Sequence, residues 1–375
     1  MPSTHLRENV LRSARSLVVK LGTQLLTSPD GAGLDVDYLA SLAAQVVDLR
    51  QRGIQVTVVS SGAIGAGCAE LGLTQRPTDL AEQQAVAAVG QRRLMTHMHD
   101  AFAPHGVNVA QLLVTRADFD DRVRFLNIRN CIGHLHELAC LPIVNENDTV
   151  AVDELRFGDN DMVAALLTNA LRADALLLLT VVDGILDSSN TKIDLIESLD
   201  DATSVARAEK SMLGSGGIQS KIEAARVAAD AGEIAVIANG REPHVLTRLL
   251  NAEKLGTVFV PAERKLDSRR RWIGLTRRPG GRIGVDDGAA DALMTRGKSL
   301  LAIGIRDVQG RFDVGDVVSV CRSDGAEIAR GLTNYNAADL RHIMGKRSSE
   351  FETLLGRQAF AEVIHRDNLL VNPRT

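Results

Sequence analysis

The sequence predicts an α/β fold built on a mainly parallel sheet, followed by a smaller β-rich domain. Three observations carry this. Over residues 1–263 short apolar runs alternate with amphipathic stretches, as parallel strands joined by crossover helices do. After residue 263 the rhythm changes to short strands at close spacing, punctuated by Gly and Asp. Finally, 45% hydrophobic and 24% charged residues are enough apolar surface for ordinary globular cores, which excludes a disordered chain.

The elements follow in order. SLVVKLG from Ser16 is a strand, and LDVDYLASLAAQVVDLRQRG an amphipathic helix closed by Gly53. IQVTVVSSG is a strand, DLAEQQAVAAVGQRRLMTHMHDAF a long helix, and VNVAQLLVT a strand. DDRVRFLNIRNCIGHLHEL is a helix and LPIVNE the strand after it. DNDMVAALLTNALRA is a helix with Asp159 or Asn160 as its N-cap. DALLLLTVVDG, GGIQSKIEAARVAADAG and EIAVIANG complete the strand–helix–strand alternation. The second part, 264–375, has its compact portion at about 270–355. It holds the strands GRIGVDDGA, SLLAIGIRDVQGRFDVGDVVSVCR and EIARGLTNY and the short helices AADALMTRG and AADLRHIMG.

Composition narrows the function classes. No apolar run approaches the roughly 20 residues of a membrane helix, and the N-terminus lacks the apolar stretch of a secretory signal. The expected location is the cytoplasm. Cys68, Cys131, Cys140 and Cys321 form no C-x-x-C pair and have no His at zinc-site spacing, so they read as packed thiols. The paired histidines of HMH and HLH fall on different helix faces and read as partly exposed positions. Net charge is −4, yet residues 264–282 carry eight basic residues and one acid. That run is either a junction or a phosphate-binding strip for RNA. Aromatics at 3% leave few platforms for stacked bases, which favours a structural or regulatory role for the second domain.

Four stretches can carry chemistry. In VVKLGT, Lys20 ends a hydrophobic strand beside Gly22; it reads as a lysine facing a crevice at the carboxyl edge of the sheet or as a snorkelling surface residue. SSGAIGAG, residues 60–67, leads from strand to helix and is either a tight turn or an anion-binding cradle. LGSGGIQSK, residues 213–221, sets Ser215, Gly216 and Gly217 before a helix with Lys221 one turn inside. It is not a P-loop but has the same ingredients. NENDTVAVDELRFGDND, residues 145–161, gathers six carboxylates between two apolar elements; it reads as a solvated loop or as a site for an ammonium group. Lysines at glycine-rich turns, helix N-termini and an acidic loop together suit phosphoryl transfer, which needs positioning and charge stabilisation more than a covalent nucleophile.

These motifs in this order resemble the amino acid kinase family. The resemblance is strongest to the branch that phosphorylates the γ-carboxylate of L-glutamate in proline synthesis. It rests on VVKLGT, VVSSGAIGAG, AAVGQ, LLVTRADFDDRVRFLN, IVNENDTVAVDELRFGDND, LLLLT and GSGGIQSK. The part from RRRWIG to about YNAADLRHIMG is similar to a PUA domain. The resemblance implies an amino acid kinase-like sandwich. It implies that Ser61, Gly62, Asn145, Asp148 and Asn160 bind glutamate, with Asp148 on the ammonium. Lys20 and Lys221 would stabilise the moving phosphoryl group and Asp161 would orient them. Lys20, Gly22, Thr180, Val181, Ser215, Gly216, Gly217 and Lys221 would form the ATP site, with Mg²⁺ carried chiefly by phosphate oxygens and water. It also implies feedback inhibition by proline, a glutamyl phosphate reductase as partner, and a homodimer or homotetramer. An RNA-binding role and a weakly catalytic glutamate or proline sensor are the competing readings. Four positions depart from the family pattern: Val181 stands where an Asp is usual, Gln24 where Ser or Thr is commoner, and Ile218 and Ser220 replace Met and Thr.

Overall fold

The computed structural model describes residues 11–28, 33–151, 159–187, 189–196, 217–261, 273, 278–356 and 360–371. Ser215, Gly216, Asp153, Glu154, Arg156 and most of the 264–282 basic run lie outside the described residues. The chain forms two compact units, Met1–Lys265 and Leu266–Thr375.

In the first unit β1 (Ser16–Leu21) runs into the short helix α1 (Thr23–Leu26). Helix α2 (Val36–Gln51) starts at Asp35, whose carboxylate accepts from the Tyr38 N–H at 2.9 Å, and stops where Gly53 turns at φ 77°. Next come β2 (Gln55–Val59), α3 (Ala63–Glu70) and α4 (Leu80–Phe102), the last capped by Asp79. Strand β3 (Val109–Val114) is followed by α5 (Arg116–Asp120) and α6 (Arg122–Glu137). Strand β4 (Leu141–Glu146), helix α7 (Asp159–Leu171) and β5 (Ala175–Thr180) follow. The unit continues through β6 (Leu195–Ile196), α8 (Gly217–Asp230), β7 (Ile234–Asn239), α9 (Val245–Leu250) and β8 (Thr257–Phe259).

The eight strands form one sheet in the order β3-β4-β2-β1-β5-β7-β8-β6, parallel throughout except where β8 pairs antiparallel with β7. Helices cover the central strands on both faces, which is why LLLL in β5 is a continuous apolar run: Leu176 to Leu179 are all fully buried. Each such leucine stabilises by about 1.5–3 kcal/mol over leaving it in water. The order also sets the site. Strand β2 lies on one side of β1 and β5 on the other, so the chain reverses direction across the sheet at β1. Crevices at the carboxyl ends of strands open at such switch points.

The close packing of α3 on α4 depends on two glycines. A Cβ on Gly90 would lie 1.8 Å from the Ala63 carbonyl oxygen, and one on Gly67 2.0 Å from that of Val86. Gly65 and Gly67 are therefore inside α3, and the SSGAIGAG stretch is not a loop of free N–H groups. Gly62 alone is the left-handed N-cap, at φ 94°. The expectation that Asp159 or Asn160 caps α7 is also corrected: the helix already begins at Asp159, so both sit in its first turn. Cys131 is exposed, contrary to the expected packing; Cys321 is buried and Cys68 and Cys140 are half-buried.

The second unit is a five-stranded mixed sheet. Its elements are β9 (Gly281–Val285), α10 (Asp287–Arg296), β10 (Ile305–Gly310), β11 (Val317–Cys321), β12 (Glu327–Leu332), α11 (Ala337–Ile343), α12 (Phe351–Leu355) and β13 (Leu369–Val371). The order is β10-β9-β11-β12-β13. Ile283, Val308, Val320, Ile328, Tyr335 and Phe351 belong to one core, in which the Tyr335 and Phe351 rings meet edge to face at 5.9 Å.

Candidate active site

Four adjacent strands deliver the candidate residues to one edge. In the order β4-β2-β1-β5, their carboxyl ends carry Asn145, Ser60–Ser61–Gly62, Lys20 and Thr180. Lys20 pairs in register with Val59 and Leu178. Gly22 continues the ladder, its N–H donating to the Leu179 carbonyl at 3.0 Å. A Cβ there would stand 3.2 Å from that oxygen, so the glycine keeps the chain close beside β5.

At the centre stands Asp161, 1% exposed, in the first turn of α7. Its Oδ1 lies 2.7 Å from Lys20 Nζ and its Oδ2 3.1 Å from Lys221 Nζ. Ser220 Oγ donates to the same Oδ2 at 2.7 Å. Lys221 also donates to the Gly217 carbonyl at 3.2 Å, which ties the lysine back to the start of α8. Lys20 and Lys221 are 4% and 8% exposed. Burial lowers the Lys20 ammonium below the usual lysine range; Asp161 opposes that shift and the charge of Lys221 reinforces it. Burial pushes the Asp161 carboxyl up, but the two lysines and the Lys20 and Ser220 hydrogen bonds outweigh it and hold the group below the usual carboxylate range. Two lysines thus converge on one carboxylate in a largely buried setting, where an anionic group is held strongly.

The second group lies toward β4. Asn145 is buried at the strand end, and Ser61 is 7% exposed. The Glu146 N–H donates to Asn145 Oδ1 and to Asn160 Oδ1, each at 3.0 Å, so β4 and α7 are joined at this point. Half-buried Asp148 has its carboxyl pushed up to about 6 by burial, with Arg76 acting the other way. Such a carboxylate gains from a cationic partner. Gln91 of α4 accepts from Asn145 Nδ2 at 2.7 Å and lines a cavity of about 590 Å³ with Gln111, Leu113 and Thr149.

Toward β5, the Thr180 carbonyl accepts from the Gly240 N–H at 2.7 Å. Val181 is exposed; Asp183, two residues on, accepts from Asn239 Nδ2 at 2.8 Å. Gly217 is the first residue of α8, and a helix N-terminus suits an anion. Gln24 is exposed on α1. Sequence reading missed two participants. In sequence Ser220 reads only as a replacement for Thr, though it adjoins Lys221. Gln91 lay in the quoted AAVGQ motif, and only tertiary contact ties it to Asn145. Among the described residues no group of three or more His, Cys, Asp or Glu is arranged to hold a metal ion. Among the described residues no helix is long and apolar enough to cross a membrane.

A parallel sheet whose carboxyl edge carries a buried lysine–aspartate–lysine cluster is the arrangement of an α/β phosphotransferase. The chain belongs to the amino acid kinase family, whose model matches residues 15–239, and a PUA domain model matches residues 281–355. It is 43% identical over 373 residues to the glutamate 5-kinase of Geobacter sulfurreducens, covering 98% of this chain and 100% of that relative. It is 44% identical to the glutamate 5-kinase of Thermosynechococcus vestitus, covering 96% and 99% of the two chains. A carbamate kinase from Giardia lamblia bound to AMP-PNP shares the fold, with TM-score 0.50, 18% identity and coverage of 67% of this chain and 100% of that one.

Proposed function

We propose that the chain transfers the γ-phosphoryl group of ATP to the γ-carboxylate of L-glutamate. The observation that carries this is the convergence of Lys20 and Lys221 on buried Asp161, next to the point where the Glu146 N–H joins Asn145 to Asn160. Full-length similarity to glutamate 5-kinases supports the choice of acceptor.

The acceptor carboxylate is ionised at neutral pH, so no general base is required. One of its oxygens attacks the γ-phosphorus in line, the bond to the β-phosphate oxygen breaks, and ADP leaves. The product is an acyl phosphate. Lys20 and Lys221 meet the equatorial oxygens as charge moves across them. Asp161 fixes both ammonium groups before the substrate arrives, so little reorganisation remains at the transition state. Asp148 pairs with the acceptor ammonium, and Ser61, Gly62, Asn145 and Asn160 complete the pocket. Gly217 and the N–H groups of the first turn of α8 would meet the phosphates, and the family resemblance assigns Ser215 and Gly216 to the same site; Gly22, Thr180 and Val181 would flank the nucleotide. The chemistry Mg²⁺ would supply when bound with ATP is neutralisation of part of the phosphate charge, alongside the positive charge that Lys20 and Lys221 bring.

Proline, resembling glutamate without its distal carboxylate, would inhibit at the same pocket. A reductase that consumes the unstable acyl phosphate would be the partner, in the cytoplasm, and the enzyme would be a homodimer or homotetramer. The test is ATP turnover with Mg²⁺, with and without L-glutamate, trapping product with hydroxylamine. Glutamate-dependent hydroxamate is expected. Turnover indifferent to glutamate would overturn the assignment of the acceptor.

A further inference from the structure

Gln91 sits on α4, 9% exposed, and among the described residues its only side-chain hydrogen bond goes to Asn145. One backbone group sets the orientation of both amides. Because the Glu146 N–H donates to Asn145 Oδ1, Asn145 must turn its NH₂ toward Gln91, and Gln91 must answer with oxygen. Flipping Gln91 would face one NH₂ with another. Its own Nε2 is then left buried without a protein partner, which is destabilising. Packing alone would be served as well by a leucine or methionine.

The contact lies at a junction. Gly90 presses directly on Ala63, which brings residue 91 beside the first turn of α3, just after Ser61 and Gly62. From Gln91 the hydrogen bonds run through Asn145 and the Glu146 N–H to Asn160, the neighbour of Asp161. We infer that Gln91 is a positioning residue for the amino-acid acceptor. It acts through Asn145 and determines affinity for the acceptor while leaving affinity for ATP unaffected. This rests on the proposed glutamate pocket.

The test compares Gln91→Leu, which removes both hydrogen-bonding atoms, with Gln91→Glu, whose carboxyl oxygen still accepts from Asn145. Gln91→Met is the second apolar variant should Gln91→Leu not fold. KM is measured for L-glutamate and for ATP by hydroxamate formation, and L-glutamate binding by calorimetry. The apolar variant should raise the glutamate KM and dissociation constant about tenfold, the scale of one lost buried hydrogen bond, with the ATP KM within about twofold. Gln91→Glu should return the glutamate KM to within about threefold of the wild type. The inference is overturned by an apolar variant that binds glutamate normally. Equal losses for both substrates overturn it too, as does a glutamate variant no better than the apolar one. A wild-type chain that makes no hydroxamate from glutamate overturns the functional reading, and the inference with it.

Discussion

Replacing Lys221 by methionine separates the catalytic charge from the fold. The Lys221 ammonium donates to Asp161 Oδ2 at 3.1 Å and to the Gly217 carbonyl at 3.2 Å. Each bond contributes about 1 kcal/mol net. Against that, the variant no longer buries an ammonium that is 8% exposed, and the methionine stem fills the same space. Asp161 keeps Lys20 at 2.7 Å and Ser220 at 2.7 Å, so its charge is not stranded. These effects oppose one another, and stability should change by no more than about 1–2 kcal/mol. The rate should not be spared. Losing one charge-stabilising donor at a dry site costs about 10²–10³-fold in kcat, or roughly 2.7–4 kcal/mol. The glutamate KM should stay within about threefold, because the ammonium acts on the moving phosphoryl group. Hydroxamate formation gives kcat and KM, and a denaturant titration gives stability. A kcat within about threefold of the wild type, in a variant of unchanged stability, would refute the role given to Lys221.

Other predictions concern the supports of the site. Asp148, with its carboxyl raised to about 6 in the free protein, should make glutamate binding pH-dependent. The ammonium favours the ionised form, so affinity should rise about tenfold per pH unit below that value and level off above it. Calorimetry from acid to neutral pH reads this, and a flat profile refutes it. The same raised carboxyl binds more protons folded than unfolded between its ordinary value and about 6, so it makes the free protein less stable as pH rises through that window; Asp148→Asn should remove this slope. Ser220→Ala should lower kcat about three- to tenfold by loosening Asp161, and Ser220→Thr should restore it. Gly90→Ala should destabilise by about 3 kcal/mol, since its Cβ would collide with the Ala63 carbonyl; an unchanged denaturation midpoint would show that the α3–α4 contact yields easily.

Much of this protein is local in its logic. The alternation of apolar strands and amphipathic helices announced a parallel sheet, because a strand buried on both faces must be apolar throughout and a covering helix must be apolar on one. Asp35, Asp79 and Gly53 mark helix ends through bonds and backbone angles confined to a few residues. Lys20 and Lys221 could be singled out, since a charged residue at the end of an apolar run or behind a glycine turn needs a reason, and the family resemblance implied Asp161. What could not be read locally is the arrangement that depends on strand order. Lys20 and Asp161 are far apart in sequence, and only the placement of β1 between β2 and β5 lets α7 and α8 bring a carboxylate and a second lysine to it. Ser220 and Gln91 look unremarkable in their own helices and gain a role only from the partner each meets. Gly67 reads as turn chemistry in sequence and is a packing contact in the fold, as is Gly90 inside its long helix. Periodicity and end signals reside in the chain because they follow from backbone geometry over a few residues. Which carboxylate meets which lysine is a long-range contact, decided by the tertiary structure alone.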